Sequence, residues 1–351
     1  MKLTREIREL SDGLKAAFEG SNVTNRVRDF EGWTARASRE DDADQGYDHT
    51  RTVEEYYDLC TGFMVWGWGE SLHFAPLSPG ESLEDSKIRL QRLMISKLEL
   101  RQGMTVVDVG CGIGGPMRRV AREAGVRVVG INASEVQRDR AMRLNAAAGL
   151  ADVTDCLRCS FMDMSAIADQ TFDRGYAIES TCHADDKAAA FAEIYRVLKP
   201  GALFWGHEMC MTDLYDPESE RHRAIKQELK RGIALKEIAT FGEVNRALAT
   251  AGFEVLEGGD LAAHEHRRET PWYQPMETPR GLPGGTLRRI PLVRKAIRWG
   301  VRMAEFLGAF PRGSAEVVAL LDRTGNAYVA GGKAGVFTPL YCFLARRPLR
   351  D

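Results

Sequence analysis

One stretch constrains this chain more than any other: Val106-Val107-Asp108-Val109-Gly110-Cys111-Gly112-Ile113-Gly114-Gly115 sets a valine-rich run directly against four glycines. Branched side chains favour an extended strand, whereas glycine tolerates left-handed turns and lets a ligand approach bare backbone. The pattern therefore predicts a strand, a tight turn and a helix that starts near Pro116. Downstream come the strand VRVVGI, a helix from about Ser134 to Gly149, the strand FDRGYAI, and IYRVLKPGALFWG, which reads as a helix end, a Pro-Gly turn and another strand. Strands that alternate with helices predict an α/β domain whose parallel sheet is covered on both faces.

The remainder of the 351 residues exceeds what one such domain needs. Residues 1–100 read as an N-terminal helical arm (Leu3, Ile7, Leu10 and Leu14 in weak helical register) followed by an aromatic segment, Tyr56 to Phe74, and a helix over Leu83 to Leu98. Residues 101–260 read as the sheet domain, and 261–351 as a C-terminal extension that closes on a short apolar strand, Thr338 to Ala345. Lys plus Arg number 48 against 50 Asp plus Glu, so nothing in the charge favours nucleic acid. Seven scattered cysteines, with no second pair beside Cys156 and Cys159, point to reduced thiols in a cytoplasmic setting. No ligand cluster is visible along the chain, and no metal is expected. The N-terminus lacks the apolar core of a secretory signal.

Gly110, Gly112 and Gly115 satisfy GxGxxG, which alone would admit a nicotinamide dinucleotide. The second strand, however, ends Gly130-Ile131-Asn132, with no acid for a ribose, and Asp108 stands two residues before the first glycine, where a carboxylate suits a cationic ligand. A tight turn of purely structural purpose is the competing reading of the glycines. The strand FDRGYAIEST followed by IYRVLKPGALF resembles the downstream half of seven-stranded, Rossmann-like S-adenosylmethionine methyltransferases. That likeness assigns Gly110, Cys111 and Gly112 to the amino-acid part of the cofactor, Asn132 and Gln137 to its ribose, and Ser160 and Phe161 to the flanks of its adenine.

The likeness narrows further. Trp66-Gly67-Trp68-Gly69-Glu70-Ser71-Leu72-His73-Phe74, Ile178-Glu179-Ser180-Thr181-Cys182-His183-Ala184, His207-Glu208-Met209-Cys210-Met211-Thr212-Asp213 and Gly335-Val336-Phe337-Thr338-Pro339-Leu340-Tyr341 occur in the order of four signatures of the sterol 24-C-methyltransferases. The chain resembles that family from about Tyr56 to Pro348. Two departures stand out: Met64, Val65 and Trp66 replace a Tyr-Glu-Tyr pattern, and His207-Glu208-Met209 replaces Tyr-Glu-Trp. The resemblance implies methyl transfer to the C24 alkene carbon of a sterol side chain, with another triterpene or terpenoid alkene as the alternative acceptor.

Such a reaction passes through a carbocation, which aromatic faces stabilise without capturing it. Trp66, Trp68, Phe74 and Tyr176 are the candidates for that lining. A base must then remove a proton. Glu179 and His183, four apart, would share a face if their segment were helical; Glu208 and His73 are the other candidates. Each also has an ordinary structural reading, as packing or a satisfied buried polar group. A noncatalytic lipid-binding protein of the same fold is the reading from a different class, but it has no use for the intact Asp108 to Gly115 loop. Leu287 to Leu307 interleaves basic with apolar residues and reads either as a peripheral membrane contact or as a packing helix. Homo-oligomerisation is left open.

Overall fold

The computed structural model describes residues 2–37, 48–263, 270–277 and 289–349. In chain order the elements are α1 Lys2–Ala17, α2 Val23–Ala37, α3 His49–Trp68, α4 Leu83–Lys97, β1 Thr105–Val109, α5 Gly115–Ala124, β2 Arg127–Asn132, α6 Glu135–Ala147, β3 Thr154–Arg158 and β4 Phe172–Ile178. After a single 3-10 turn, Thr181–His183, follow α7 Lys187–Val197, β5 Leu198–Met211, α8 Glu220–Gly232, α9 Phe241–Thr250, β6 Glu254–Asp260, α10 Gln274–Glu277, α11 Pro291–Phe306, α12 Ser314–Ala334 and β7 Phe337–Arg346. They pack into two units. One is helical, from Met1–Gly69, Tyr215–Glu237 and Tyr273–Ala334; the other holds the sheet, from Glu70–Leu214, Ile238–Trp272 and Gly335–Asp351. The division is thus not consecutive along the chain, unlike the segments 1–100, 101–260 and 261–351.

The sheet unit contains a seven-stranded sheet in the order β3-β2-β1-β4-β5-β7-β6. β7, formed by the C-terminal apolar strand, runs antiparallel between β5 and β6, so the parallel sheet expected from the alternation of strands and helices carries one antiparallel strand. Its burial explains the insertion: nine of its ten residues are enclosed, so the strand needs neighbours on both edges and cover on both faces. Local chemistry starts the helices. Ser82, Ser134 and Asp186 cap α4, α6 and α7, and Thr240 with Glu243 forms a reciprocal capping box at α9. Two cores sandwich the sheet, one including Val107, Phe191, Phe204 and Phe343, the other Leu90, Met117, Tyr176 and Trp205.

The helical unit has its own core around Leu14, Phe30, Tyr56, Leu59 and Val317. Within α1, Leu14 is buried and Leu10 packs against the same core, but Ile7 faces solvent. Tyr56 to Trp68 lies within α3, so the aromatic segment begins as a helix and not as a lining loop.

Candidate functional site

The strand order turns at β1, with β2 on one side and β4 on the other, and open sheets bind ligands beyond the strand ends at such a point. The loop after β1 meets the segment after β4 there. Gly110, Gly112 and Gly114 have φ values of 80°, 54° and 77°, a region other residues enter at a cost. A Cβ on Gly110 would lie 2.3 Å from the Ser180 Cβ, and the Ser180 hydroxyl donates to the Val109 carbonyl. A Cβ on Gly112, in contrast, would meet nothing within 4 Å. The loop is clamped at Gly110 and open at Gly112, the arrangement a ligand lying along bare backbone requires.

Asp108 is buried beneath this loop and accepts a 2.9 Å hydrogen bond from the Tyr176 hydroxyl. Burial pushes its pKa up to about 7, against the pull of that hydroxyl. An ionised Asp108 gains from a nearby positive charge, so the site fits a cationic cofactor such as S-adenosylmethionine. Tyr176, expected in a carbocation lining, is instead enclosed in the core with its hydroxyl committed to Asp108.

Asn132 spends its amide hydrogens on the Gly112 carbonyl at 2.9 Å and on Gln137 Oε1 at 3.2 Å, while its oxygen accepts from Ser134 N–H. These two side chains hold the loop against the start of α6; their assignment to a ribose finds no free Asn132 donor. The Cys111 thiol points at the Cys156 thiol, 3.2 Å away, so Cys111 offers the loop only backbone. Ser160 and Phe161 lie in the turn after β3, whose end is in register with Asn132, and Phe161 packs on the core.

Glu179 follows β4 in a left-handed conformation, φ 50°, unusual for a side chain of its kind. Its carboxyl accepts a 2.6 Å hydrogen bond from Phe74 N–H. Burial holds its pKa well above the usual carboxylate range, with Glu208 reinforcing this and the Phe74 N–H opposing it. Because Glu179 precedes the 3-10 turn, no α-helical face pairs it with His183. It lies beside His207, whose Nε2 is 3.7 Å from Glu179 Oε1.

Glu208 and His73, two of the other candidate bases, are held by neighbouring groups. Glu208 is wholly buried, accepts from Thr181 Oγ1, and pairs with Lys187 Nζ at 3.1 Å. His73 Nδ1 donates to the Phe74 carbonyl at 2.7 Å and its Nε2 faces Gln91 Nε2 at 2.8 Å, while burial drives its pKa down to about 3. His73, Glu179 and His207 nevertheless bring ligand atoms within 4.8 Å of one another, a cluster the sequence did not reveal because its members lie far apart along the chain. With both His73 nitrogens engaged, only two of the three remain available to an ion.

Phe74 packs edge-to-face on Trp272 at 5.2 Å, and Trp272 on Phe337 at 6.0 Å. These rings stand next to the Glu179 carboxyl through the Phe74 backbone bond. Trp272 escaped the sequence reading because nothing in its surroundings there repeats a signature. Trp66 and Trp68 belong to the helical unit, where the Arg289 guanidinium covers the Trp68 ring at 5.0 Å, placing a positive charge on the face expected to meet a carbocation.

The family model of mycolic acid cyclopropane synthetase matches residues 45–281, and that of the sterol methyltransferase C-terminal region matches 286–349. Cycloartenol-C-24-methyltransferase 1 of Oryza sativa subsp. japonica is 38% identical over 343 residues, covering 98% of both chains. Sterol 24-C-methyltransferase ERG6 of Saccharomyces cerevisiae is 35% identical over 345 residues, covering 96% of this chain and 89% of that one. Among solved structures, the mycolic acid cyclopropane synthase CmaA1 complexed with SAH and CTAB superposes with a TM-score of 0.65 at 19% identity, over 85% of this chain and 98% of that one, which speaks for the fold. A glycine loop clamped by Ser180, a buried Asp108 beneath it and 35% and 38% identity to these relatives over nearly the whole chain converge: the chain belongs to the sterol 24-C-methyltransferase family of S-adenosylmethionine-dependent methyltransferases.

Proposed function

We propose that this protein adds a methyl group to C24 of a Δ24 sterol side chain, with Glu179 as the base that ends the reaction. The observation that carries this reading is the place of Glu179, one residue before the serine that clamps the cofactor loop, in a chain alike over nearly its whole length to C24 methyltransferases. S-adenosylmethionine, when bound, supplies an electrophilic methyl. The chain's own groups then have three tasks. The loop Gly110 to Gly115 and Asp108 hold and orient a cationic ligand. Phe74 and Trp272 exclude water and offer ring faces worth about 0.5–2 kcal/mol to a desolvated cation. A protonated Glu179 does not capture that cation, and once ionised it removes the proton.

Incubation with methyl-labelled S-adenosylmethionine and a panel of Δ24 sterols, squalene and short isoprenoids tests the reading. A sterol that gains a methyl at C24 supports it; a methylated terpenoid with no sterol product refutes the sterol assignment.

Asp108 makes cofactor binding depend on pH. Below about pH 7 its carboxyl is protonated, and a cationic ligand must drive off that proton to gain the charge contact. Affinity is therefore expected to rise with pH up to about 7 and then level, by at most about tenfold per unit. Calorimetric titration across this range checks it, and Asp108→Asn should remove the slope; a wild-type affinity independent of pH refutes it.

Delivery of an insoluble acceptor suits α11, which presents Leu292, Trp299 and Phe306, at 77%, 68% and 84% exposure, seven residues apart on one face. Lys295 and Arg302 are exposed beside them and Arg298 is half-buried. This pairing of rings with positive charge fits the surface of an anionic bilayer. Two expected basic contacts are corrected: Arg294 turns inward to Asp322 at 2.8 Å, and Arg289 donates to the Gly67 carbonyl at 2.9 Å. Leu287 and Arg288 fall outside the described residues. Among these, no helix is long and apolar enough to cross a membrane. In flotation with phosphatidylserine vesicles, Trp299→Ala with Phe306→Ala should weaken binding by more than about tenfold, since each buried ring contributes roughly 1.5–3 kcal/mol; equal flotation of both proteins refutes the contact.

A further inference from the structure

His207 packs beside His73 and Trp205, with ring centroids 6.1 and 5.9 Å away. It lies inside β5, between β4 and β7, in register with Ile178 and Cys342, and has no exposure. Neither ring nitrogen has a hydrogen-bond partner of normal geometry among the described residues, although the Pro339 backbone carbonyl approaches the ring. An imidazole buried in this way gives up its hydration without full compensation from the protein. Hydrophobic side chains would fill the same space more cheaply.

A group able to exchange a proton with it stands close by: Glu179 Oε1 lies 3.7 Å from His207 Nε2. A shift of less than an ångström brings the two into hydrogen-bond range. Both side chains are buried, Glu179 at 4% exposure and His207 at none, and of the two Glu179 is the one that adjoins the serine clamping the cofactor loop.

We infer that His207 is the proton partner of Glu179: it takes the carboxyl's own proton and so frees a carboxylate to accept the proton that the substrate loses. The inference rests on the reading of Glu179 as the base. His207 never touches the substrate and is a positioning residue.

The electrostatics agree with a pair that rests neutral. Burial and the neighbouring His73 push the His207 pKa down to about 3, against the Pro339 carbonyl, while burial raises that of Glu179. Among the described residues, the other titratable or charged groups around the pair include Glu208 on β5 with its partner Lys187, Cys182 after β4, Cys342 on β7 with Asp260 beside it, and Lys87 on α4, which acts on His73. At rest no bare carboxylate stands where a carbocation would be captured. A positive reaction centre beside Glu179 favours its ionised form, and the proton then passes to His207 Nε2, giving carboxylate and imidazolium. Next, the C–H bond beside the cationic carbon breaks. Its electron pair forms the new double bond and its proton goes to the Glu179 carboxylate. One proton in excess, held on His207, returns to solvent through Glu179 after the product leaves. No oxidant or further reactant is needed.

A structural histidine and a proton partner differ in how turnover depends on pH. With His207, Glu179 ionises without releasing a proton to solvent, so kcat should be flat between about pH 6 and pH 9. In His207→Gln, which keeps polarity and approximate size, and in His207→Phe, which fills the space, ionisation requires loss of that proton. Both variants should show kcat lowered about 10- to 100-fold at neutral pH and rising with pH by up to about tenfold per unit, while KM for the sterol and cofactor affinity stay within about twofold. The His207→Gln variant carries the test should the phenylalanine variant misfold. A flat profile in His207→Gln, with the sterol still methylated, overturns the inference and leaves the function intact. Stoichiometric zinc or iron in the purified wild type, lost in His207→Gln, overturns it as well by making His207 a ligand. A wild type that methylates no sterol refutes the function and this inference together.

Discussion

Glu179→Gln should lower sterol methylation by about three orders of magnitude, roughly 4 kcal/mol of barrier, while the protein folds and binds S-adenosylmethionine as before. Glutamine keeps the size of the side chain and an oxygen to accept from Phe74 N–H, the bond measured at 2.6 Å. It is also neutral, like the protonated carboxyl that burial favours. What it lacks is the capacity to take up a proton. The carbocation would then persist until water reaches it, and a trace of methylated sterol alcohol is the expected by-product, visible by mass spectrometry of the lipid extract. Product within tenfold of wild type would place the base elsewhere. Lys187→Met would not discriminate in this way, because it leaves the buried Glu208 unpaired and damages the fold instead.

The second large effect concerns the loop. Gly110→Ala should abolish cofactor binding and destabilise the fold together, since its Cβ would fall 2.3 Å from the Ser180 Cβ at a φ of 80°. The left-handed backbone costs about 1–2 kcal/mol and the overpacking about 1–3 kcal/mol, so a fall in melting temperature of several degrees is expected. Relief must come from Ser180, whose displacement carries Glu179 with it. Gly112→Ala provides the contrast: at φ 54° with no atom within 4 Å, it should lose cofactor affinity with a smaller loss of stability. Adding Ser180→Gly to Gly110→Ala removes the clashing Cβ and should recover part of the stability. If Gly110→Ala binds the cofactor normally, the clamp between the two loops is not as described.

Much of the site was legible locally because its chemistry sits within single turns of chain. The glycine positions, Asp108, the strand ending in Asn132 and the acid after β4 each follow from a short stretch whose conformation and neighbours are set by the backbone itself. Roles that depend on partners far along the chain were not legible. Glu208 and His73 stood behind Glu179 as further candidate bases in the sequence, and only the fold brings Lys187, Thr181 and Gln91 against them. The four-residue spacing of Glu179 and His183 suggested a helical face that a single 3-10 turn does not form. Trp68 promised an aromatic lining, but Arg289, more than two hundred residues away, lies on its ring.

The sequence by itself determined the class of fold, the position of the cofactor loop and the family, since propensity, glycine placement and ordered signatures are properties of contiguous residues. Only the tertiary structure decided that Glu208 pairs with Lys187 while Glu179 lies beside the His207 imidazole, and that β7 enters the sheet antiparallel between β5 and β6. The physical reason is that burial and pairing set whether a carboxyl or imidazole can hold a proton, and both are made by side chains that meet only when the chain has folded.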